Sequence, residues 1–222
     1  MAVRILATSM LYGNAVFELA EKLPELKLVE FRSAEWERLL PEAEALIITL
    51  NNVFTSEDIL KAKKLKAIGT FSVGVNHLPL KLCEEKNIKI VNTPGVLTDA
   101  TADISLALLL AVARRIVEAD ELVRNGEWKG WTPGFMLGTE LSGKVCGIMG
   151  SGPIGQAVAR RVHALGMKVV FWDREGSGKP VDFGYDVAER LPLDALLKIS
   201  NVLSLNCPLT EQTKCLLSKV KL

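Results

Sequence analysis

The stretch Val145-Cys146-Gly147-Ile148-Met149-Gly150-Ser151-Gly152-Pro153-Ile154-Gly155 decides how this chain reads. Its first five residues have the apolar run of a buried strand, and Gln156-Ala157-Val158-Ala159-Arg160-Arg161-Val162 continues as a helix. Between them Gly150, Gly152 and Gly155 fill the pattern G-x-G-x-x-G. The first glycine permits a tight turn, the second leaves the backbone bare for a pyrophosphate, and the third lets helix and strand close together. A helix that begins there offers unpaired N–H groups and a partial positive charge to phosphates. Glycines also cluster in ordinary turns, so the pattern alone is weak. Here a second strand, Met167–Trp172, follows and ends at Asp173, 18 residues past Gly155. A carboxylate about 20 residues on is the group that holds the adenosine ribose hydroxyls. Strand, glycines, helix, strand and acid in that order predict a dinucleotide-binding unit.

The rest of the chain is compatible with this. Its 222 residues suffice for one large domain or two small ones, and 49% hydrophobic against 24% charged residues is a globular balance. A net charge of +1 gives no electrostatic footprint for nucleic acid or an anionic membrane surface. Cys83, Cys146, Cys207 and Cys215 are scattered without a C-x-x-C pair. No metal site is expected, and a reducing, cytoplasmic compartment is. The segment Met1–Leu6 lacks a signal peptide's apolar core and reads as a strand. The apolar run Ile104–Ala113 is too short to cross a bilayer.

Towards the N-terminus, strand candidates at Val3–Thr8, Lys27–Phe31, Ala45–Thr49, Leu65–Thr70 and Ile88–Asn92 alternate with helical stretches. Those stretches are Asn14–Lys22, Ala34–Leu39, Ser56–Lys63, capped at Ser56, and Pro79–Glu85. The alternation predicts a doubly wound parallel sheet. The turn Thr8–Gly13 holds one glycine, so this half is not expected to bind a nucleotide itself. The run from Thr98 to about Arg124 reads as one long helix between two lobes, stopped by Asn125-Gly126. The tract Glu127–Gly138, with Trp128 and Trp131, is irregular; its tryptophans suit packing or a subunit interface. Beyond Asp173, a loop, a short helix at Pro192–Lys198 and a strand at Asn201–Asn206 bring the strands of the glycine-rich unit to three. About six are expected of a complete sheet of this kind. A further helix begins at Glu211. The expected domains are 1–97 and 98–222, the second carrying the dinucleotide-binding unit.

Four stretches together resemble the D-isomer-specific 2-hydroxyacid dehydrogenases, the family of glyoxylate/hydroxypyruvate reductases and D-lactate and phosphoglycerate dehydrogenases. They are Ser72-Val73-Gly74-Val75-Asn76-His77, Asn92-Thr93-Pro94-Gly95 with Thr101-Ala102-Asp103, Leu141-Ser142-Gly143-Lys144, and Asn206-Cys207-Pro208-Leu209-Thr210 with Thr213. The tract Gly130–Phe135 is most similar to the glyoxylate reductase branch. The resemblance implies an α/β fold of two parallel-sheet lobes: a flavodoxin-like substrate domain and a Rossmann domain, the latter incomplete in these residues. It implies hydride transfer between NAD(H) and a small 2-oxo or 2-hydroxy acid at a cleft between the lobes.

By the same resemblance, Val73 and Gly74 would offer backbone N–H groups to the substrate carboxylate, with Asn51 lining that pocket. Thr101 would meet the nicotinamide side of the cofactor, and Pro153 and Ile154 the pyrophosphate. Cys207, Pro208 and Thr213 would lie along the ribose and adenine edge. Asp173 favours NAD by repelling a 2′-phosphate, while Arg174 beside it keeps NADP in play. A homodimer through the long helix and the tryptophan tract is also implied. The family's arginine, glutamate and histidine, which polarise the carbonyl and move the hydroxyl proton, have no counterpart here and are expected after Leu222. His77 and His163 read as a turn-packing and a helix-surface residue, and Arg4, Arg114 and Arg115 do not match the family's arginine. A second reading is a dinucleotide-sensing, corepressor-like protein without turnover.

Overall fold

Short runs of β-branched and leucine residues, set between helical stretches, build the first unit, Met1–Val96. In the computed structural model, which describes residues 4–8, 15–174 and 179–217, five of these runs are strands. They are β1 (Ile5–Thr8), β2 (Leu26–Val29), β3 (Ala45–Thr49), β4 (Ala67–Phe71) and β5 (Lys89–Val91). All pair in parallel, in the order β2-β1-β3-β4-β5. That is the flavodoxin-like order, with its reversal of direction between β1 and β3. Each strand lies within a residue or two of its sequence expectation. Helices α1 (Ala15–Lys22), α2 (Ala34–Leu39), α3 (Ser56–Lys61) and α4 (Leu80–Glu85) connect them. The turn expected at Thr8–Gly13 lies, after Thr8, outside the described residues, as does Asn14.

The core of this unit forms where inward strand positions meet one aromatic cluster. Leu6, Leu46, Ile48 and Ile68 are fully buried with Trp36, whose ring sits 5.3 Å from Phe31 and 6.2 Å from Phe54. Edge-to-face pairs at such spacings add to what burial of their area contributes. Helix α3 is capped one residue earlier than expected. Thr55, not Ser56, is the cap: its side chain accepts from Asp58 N, and Asp58 Oδ2 accepts from Thr55 N at 2.7 Å. An acid three residues after a threonine makes the reciprocal pair that a serine at the next position cannot.

The second unit, Leu97–Leu222, carries a five-stranded sheet where the sequence predicts three strands. Its strands are β6 (Val145–Met149), β7 (Lys168–Trp172), β8 (Val181–Asp182), β9 (Val187–Arg190) and β10 (Val202–Leu205), in the order β10-β6-β7-β9-β8. Only β8 runs antiparallel, as a hairpin partner of β9. With that hairpin strand set aside, the order is 3-2-1-4, the arrangement of a dinucleotide-binding sheet around its first strand. The two strands absent from the sequence reading are short, and Val187-Ala188-Glu189-Arg190 carries too much charge to stand out as apolar.

Helices α7 (Pro153–Ala164) and α8 (Leu193–Ile199) connect these strands, and α5 (Thr98–Ala113) packs on α7 through Ala102, Leu106, Ala157, Val158 and Val162. The single long helix expected from Thr98 to Arg124 is two. Helix α5 ends at Ala113, Arg115 turns left-handed (φ 55°), and α6 (Ile116–Arg124) follows. Thr139 N donates to Ala113 O at 2.6 Å, so the returning chain satisfies a carbonyl at the end of α5. Arg115 then pairs with Glu118 within the first turn of α6. The helix expected from Glu211 is a run of turns instead, with Cys215 at a positive φ. Trp128 and Trp131 are exposed rather than packed into this chain. Among the described residues no helix is long and apolar enough to cross a membrane.

Candidate functional site

Parallel sheets place ligands at the carboxyl ends of their strands, where the order of strands reverses. In the second unit that point lies between β6 and β10. Gly150 leaves β6 with φ 109°, and its N–H donates to Trp172 O at 2.7 Å, which ties the turn to the end of β7. A Cβ at Gly150 would lie 2.7 Å from Cys207 N, so the loop after β10 rests directly against this turn. At Gly155 a Cβ would meet Gly150 O at 2.0 Å, the close helix-to-strand approach expected of the third glycine. Gly152 differs from both. It is exposed, has an extended backbone, and among the described residues nothing stands within 4 Å of where a Cβ would be.

Gly152 is also the N-cap of α7, and no side chain caps that end. Pro153 at the first helical position has no N–H to satisfy, and the amides of Ile154 and Gly155 open the helix. An uncapped helix N-terminus beside bare backbone suits an anion such as a pyrophosphate. Ser151 Oγ and Asp173 Oδ2 are hydrogen bonded, and the same carboxylate oxygen lies 3.0 Å from Arg190 Nη2. Asp173 is thereby held at the end of β7, beside the glycine turn, and Arg174 after it is exposed. The sequence carries no local signal for Arg190: it is 17 residues from Asp173 in the chain, and only the pairing of β7 with β9 brings them together.

The remaining cofactor candidates distribute as follows. Cys207 and Pro208 lie on the loop against Gly150. Thr213 is buried, and its hydroxyl is bonded to Pro208 O at 2.6 Å and Thr210 N at 2.7 Å, so it fixes the shape of that loop. Thr101 is half-buried near the start of α5, an end held to α7 by Arg161 bonds to Asp99 and Asp103. Beneath the turn, burial pushes the Cys146 thiol up to about 12, which makes it an inert core group. A groove of about 660 Å³ along Leu108, Leu109, Val158, Val162, Val202 and Leu203 shares no lining residue with the glycine turn.

In the first unit, Val73 and Gly74 occupy the loop after β4. Three successive carbonyls there are held internally: Ser72 O by Thr93 N (3.0 Å), Val73 O by Asn92 Nδ2 (2.9 Å) and Gly74 O by Ser72 Oγ (2.7 Å). In a trans peptide the N–H points opposite the carbonyl. The N–H groups of Val73, Gly74 and Val75 are therefore each turned away from the group that holds the preceding carbonyl. Ser72, Thr70 and His77 form the buried support: Thr70 Oγ1 is 2.8 Å from Ser72 Oγ and 3.0 Å from His77 Nε2. Burial holds the His77 pKa below its ordinary value, favouring the neutral ring. Asn51 stands exposed on the turn after β3, while its neighbour Asn52 is buried and accepts from Thr49 N and Oγ1. His163 is half-buried against the Phe183 ring.

Residues 106–222 match the family described as the D-isomer specific 2-hydroxyacid dehydrogenase NAD binding domain. A glyoxylate reductase of Thermococcus litoralis is 40% identical over 221 residues, covering 96% of this chain and 66% of the relative. A crystal structure of a protein from Thermus thermophilus superposes with a TM-score of 0.84 at 42% identity, covering 98% of this chain and 69% of that one. Another, of Aquifex aeolicus D-lactate dehydrogenase complexed with NAD and lactic acid, gives a TM-score of 0.84 at 30% identity, covering 95% and 62%. The chain thus spans about two thirds of the length of each of these proteins.

Proposed function

Since the chain belongs to the D-isomer specific 2-hydroxyacid dehydrogenase family, we propose that it forms the NAD(H) cradle and the carboxylate-binding loop of an oxidoreductase. This enzyme interconverts small 2-oxo acids and D-2-hydroxy acids, with glyoxylate or hydroxypyruvate as substrate. The observation that carries the reading is the uncapped start of α7 beside bare Gly152, with Asp173 held at the end of the neighbouring strand. Bound NAD(H) supplies the hydride chemistry. The chain supplies position: helix amides for the pyrophosphate, Asp173 for the adenosine ribose, and the loop at Cys207 and Pro208 along the same cradle. Thr101 approaches the nicotinamide side. The amides of Val73 and Gly74 take the substrate carboxylate without a charged side chain.

Neither histidine suits proton transfer. His77 is buried against Thr70, and His163 packs on Phe183. We therefore assign the proton-transfer group to residues outside these 222. The test is a calorimetric titration of the purified chain with NADH, alongside a spectrophotometric assay with glyoxylate and hydroxypyruvate. The chain is expected to bind NADH without oxidising it. Absence of binding would sink the cofactor reading, and turnover by these residues alone would overturn the assignment of the missing group.

A further inference from the structure

We propose that Arg190 determines which dinucleotide the cradle accepts: it offsets the charge of Asp173, so that NADPH is held as well as NADH. The inference rests on the nucleotide-binding reading of residues 150–155 and concerns what that site discriminates.

An acid at the end of the second strand ordinarily excludes a 2′-phosphate by repulsion between like charges. In this chain the acid does not act alone. Arg190 is the last residue of β9, paired in register with Phe171 of β7, two residues before Asp173. Leu191 N donates to Phe171 O at 2.8 Å, which fixes the backbone where β9 ends. From there Arg190 Nη2 stands 3.0 Å from Asp173 Oδ2 and 3.5 Å from Ser151 Oγ, the hydroxyl bonded to that same carboxylate oxygen. The two side chains are only 12% and 16% exposed, so solvent and salt screen the pair weakly. A ligand arriving at this corner meets a neutralised pair in place of a lone carboxylate.

Arg174, exposed beside Asp173, adds a second guanidinium. A guanidinium is also the side chain best shaped to take phosphate oxygens in pairs. Asp173 still presents a carboxylate for ribose hydroxyls, so NADH is retained.

The test titrates the wild-type chain, Arg190→Gln and Arg190→Lys with NADH and with NADPH, with thermal melts to verify folding. In the wild type the two dissociation constants are expected to agree within about tenfold. Arg190→Gln is expected to weaken NADPH relative to NADH by about tenfold or more, and Arg190→Lys, which keeps the charge, to recover most of that loss. A purely structural arginine would lower both affinities in equal proportion, and that result overturns the proposal. So does a wild-type chain that binds NADH and rejects NADPH by more than about a hundredfold, a result that needs no folded variant. Binding of neither nucleotide overturns the nucleotide-binding reading itself and this inference with it.

Discussion

Gly152 and Gly155 belong to one motif, yet they stand in opposite surroundings. Gly155 has no room: a Cβ there would meet Gly150 O at 2.0 Å. Gly155→Ala is expected to cost about 1–3 kcal/mol of stability, the usual range for overpacking, measurable by urea unfolding. At Gly152 no atom of the described residues lies within 4 Å of an added Cβ, and the extended backbone is one that any residue adopts. Gly152→Val should therefore melt close to the wild type while losing NADH affinity, because its side chain would fill the space the pyrophosphate needs. If Gly152→Val bound NADH normally, the phosphates would sit elsewhere. The close approach at Gly155 was legible in the G-x-G-x-x-G spacing. Arg190 was not, because its partner Asp173 is reached across a strand pairing and no local pattern marks it. The supports of the loop after β4, Thr70, Ser72 and Asn92, were hidden for a related reason: they act through bonds made by the fold, which sequence does not display.

At the scale of elements, the start of α3 ties stability to pH. Burial alone would raise the Asp58 pKa, but bonds from Thr55 N and Oγ1, with Arg32 at 3.2 Å, outweigh it and hold the carboxyl below its ordinary value. A carboxyl depressed in the folded state binds its proton more readily when unfolded. Its contribution is thus complete above the unfolded value of about 3.9 and is lost as pH falls through the folded one. Asp58→Asn should be less stable than the wild type at pH 7, with the gap narrowing below about pH 4 in thermal melts. A gap that stays constant down to about pH 3 would contradict this. Thr55→Ala should cost about 1 kcal/mol as a lost cap. Helix existence was legible here, but the cap was displaced by one residue, since Thr55 and Ser56 are both competent and only the position of Asp58 decides between them. The break between α5 and α6 was invisible for a different reason: it depends on Thr139 reaching back to Ala113, a contact made 26 residues later.

For the whole molecule, the parallel layers followed from alternating strands and helices. The charged β9 and two-residue β8 escaped because strands so short carry almost no periodic signal. One surface bears on assembly. Ile104, Leu108 and Val112 repeat every four residues along α5, and each is more than 60% exposed, with Trp131 at 81%. We propose that a second copy of the chain covers this stripe, since an apolar row of this kind is the usual mark of an interface. Light scattering should give a dimer for the wild type and a monomer for Leu108→Lys; a monomeric wild type at micromolar concentration would rule the interface out.

The turn after β6 and the tip of α7 are proposed to seat the dinucleotide. Amide hydrogen exchange with and without saturating NADH addresses this most directly. Protection is predicted to concentrate at Ser151–Gln156, Asp173 and the Cys207–Thr210 loop, with the 660 Å³ groove beside α5 unchanged. Protection in that groove, with the glycine turn exchanging as before, would place the dinucleotide elsewhere.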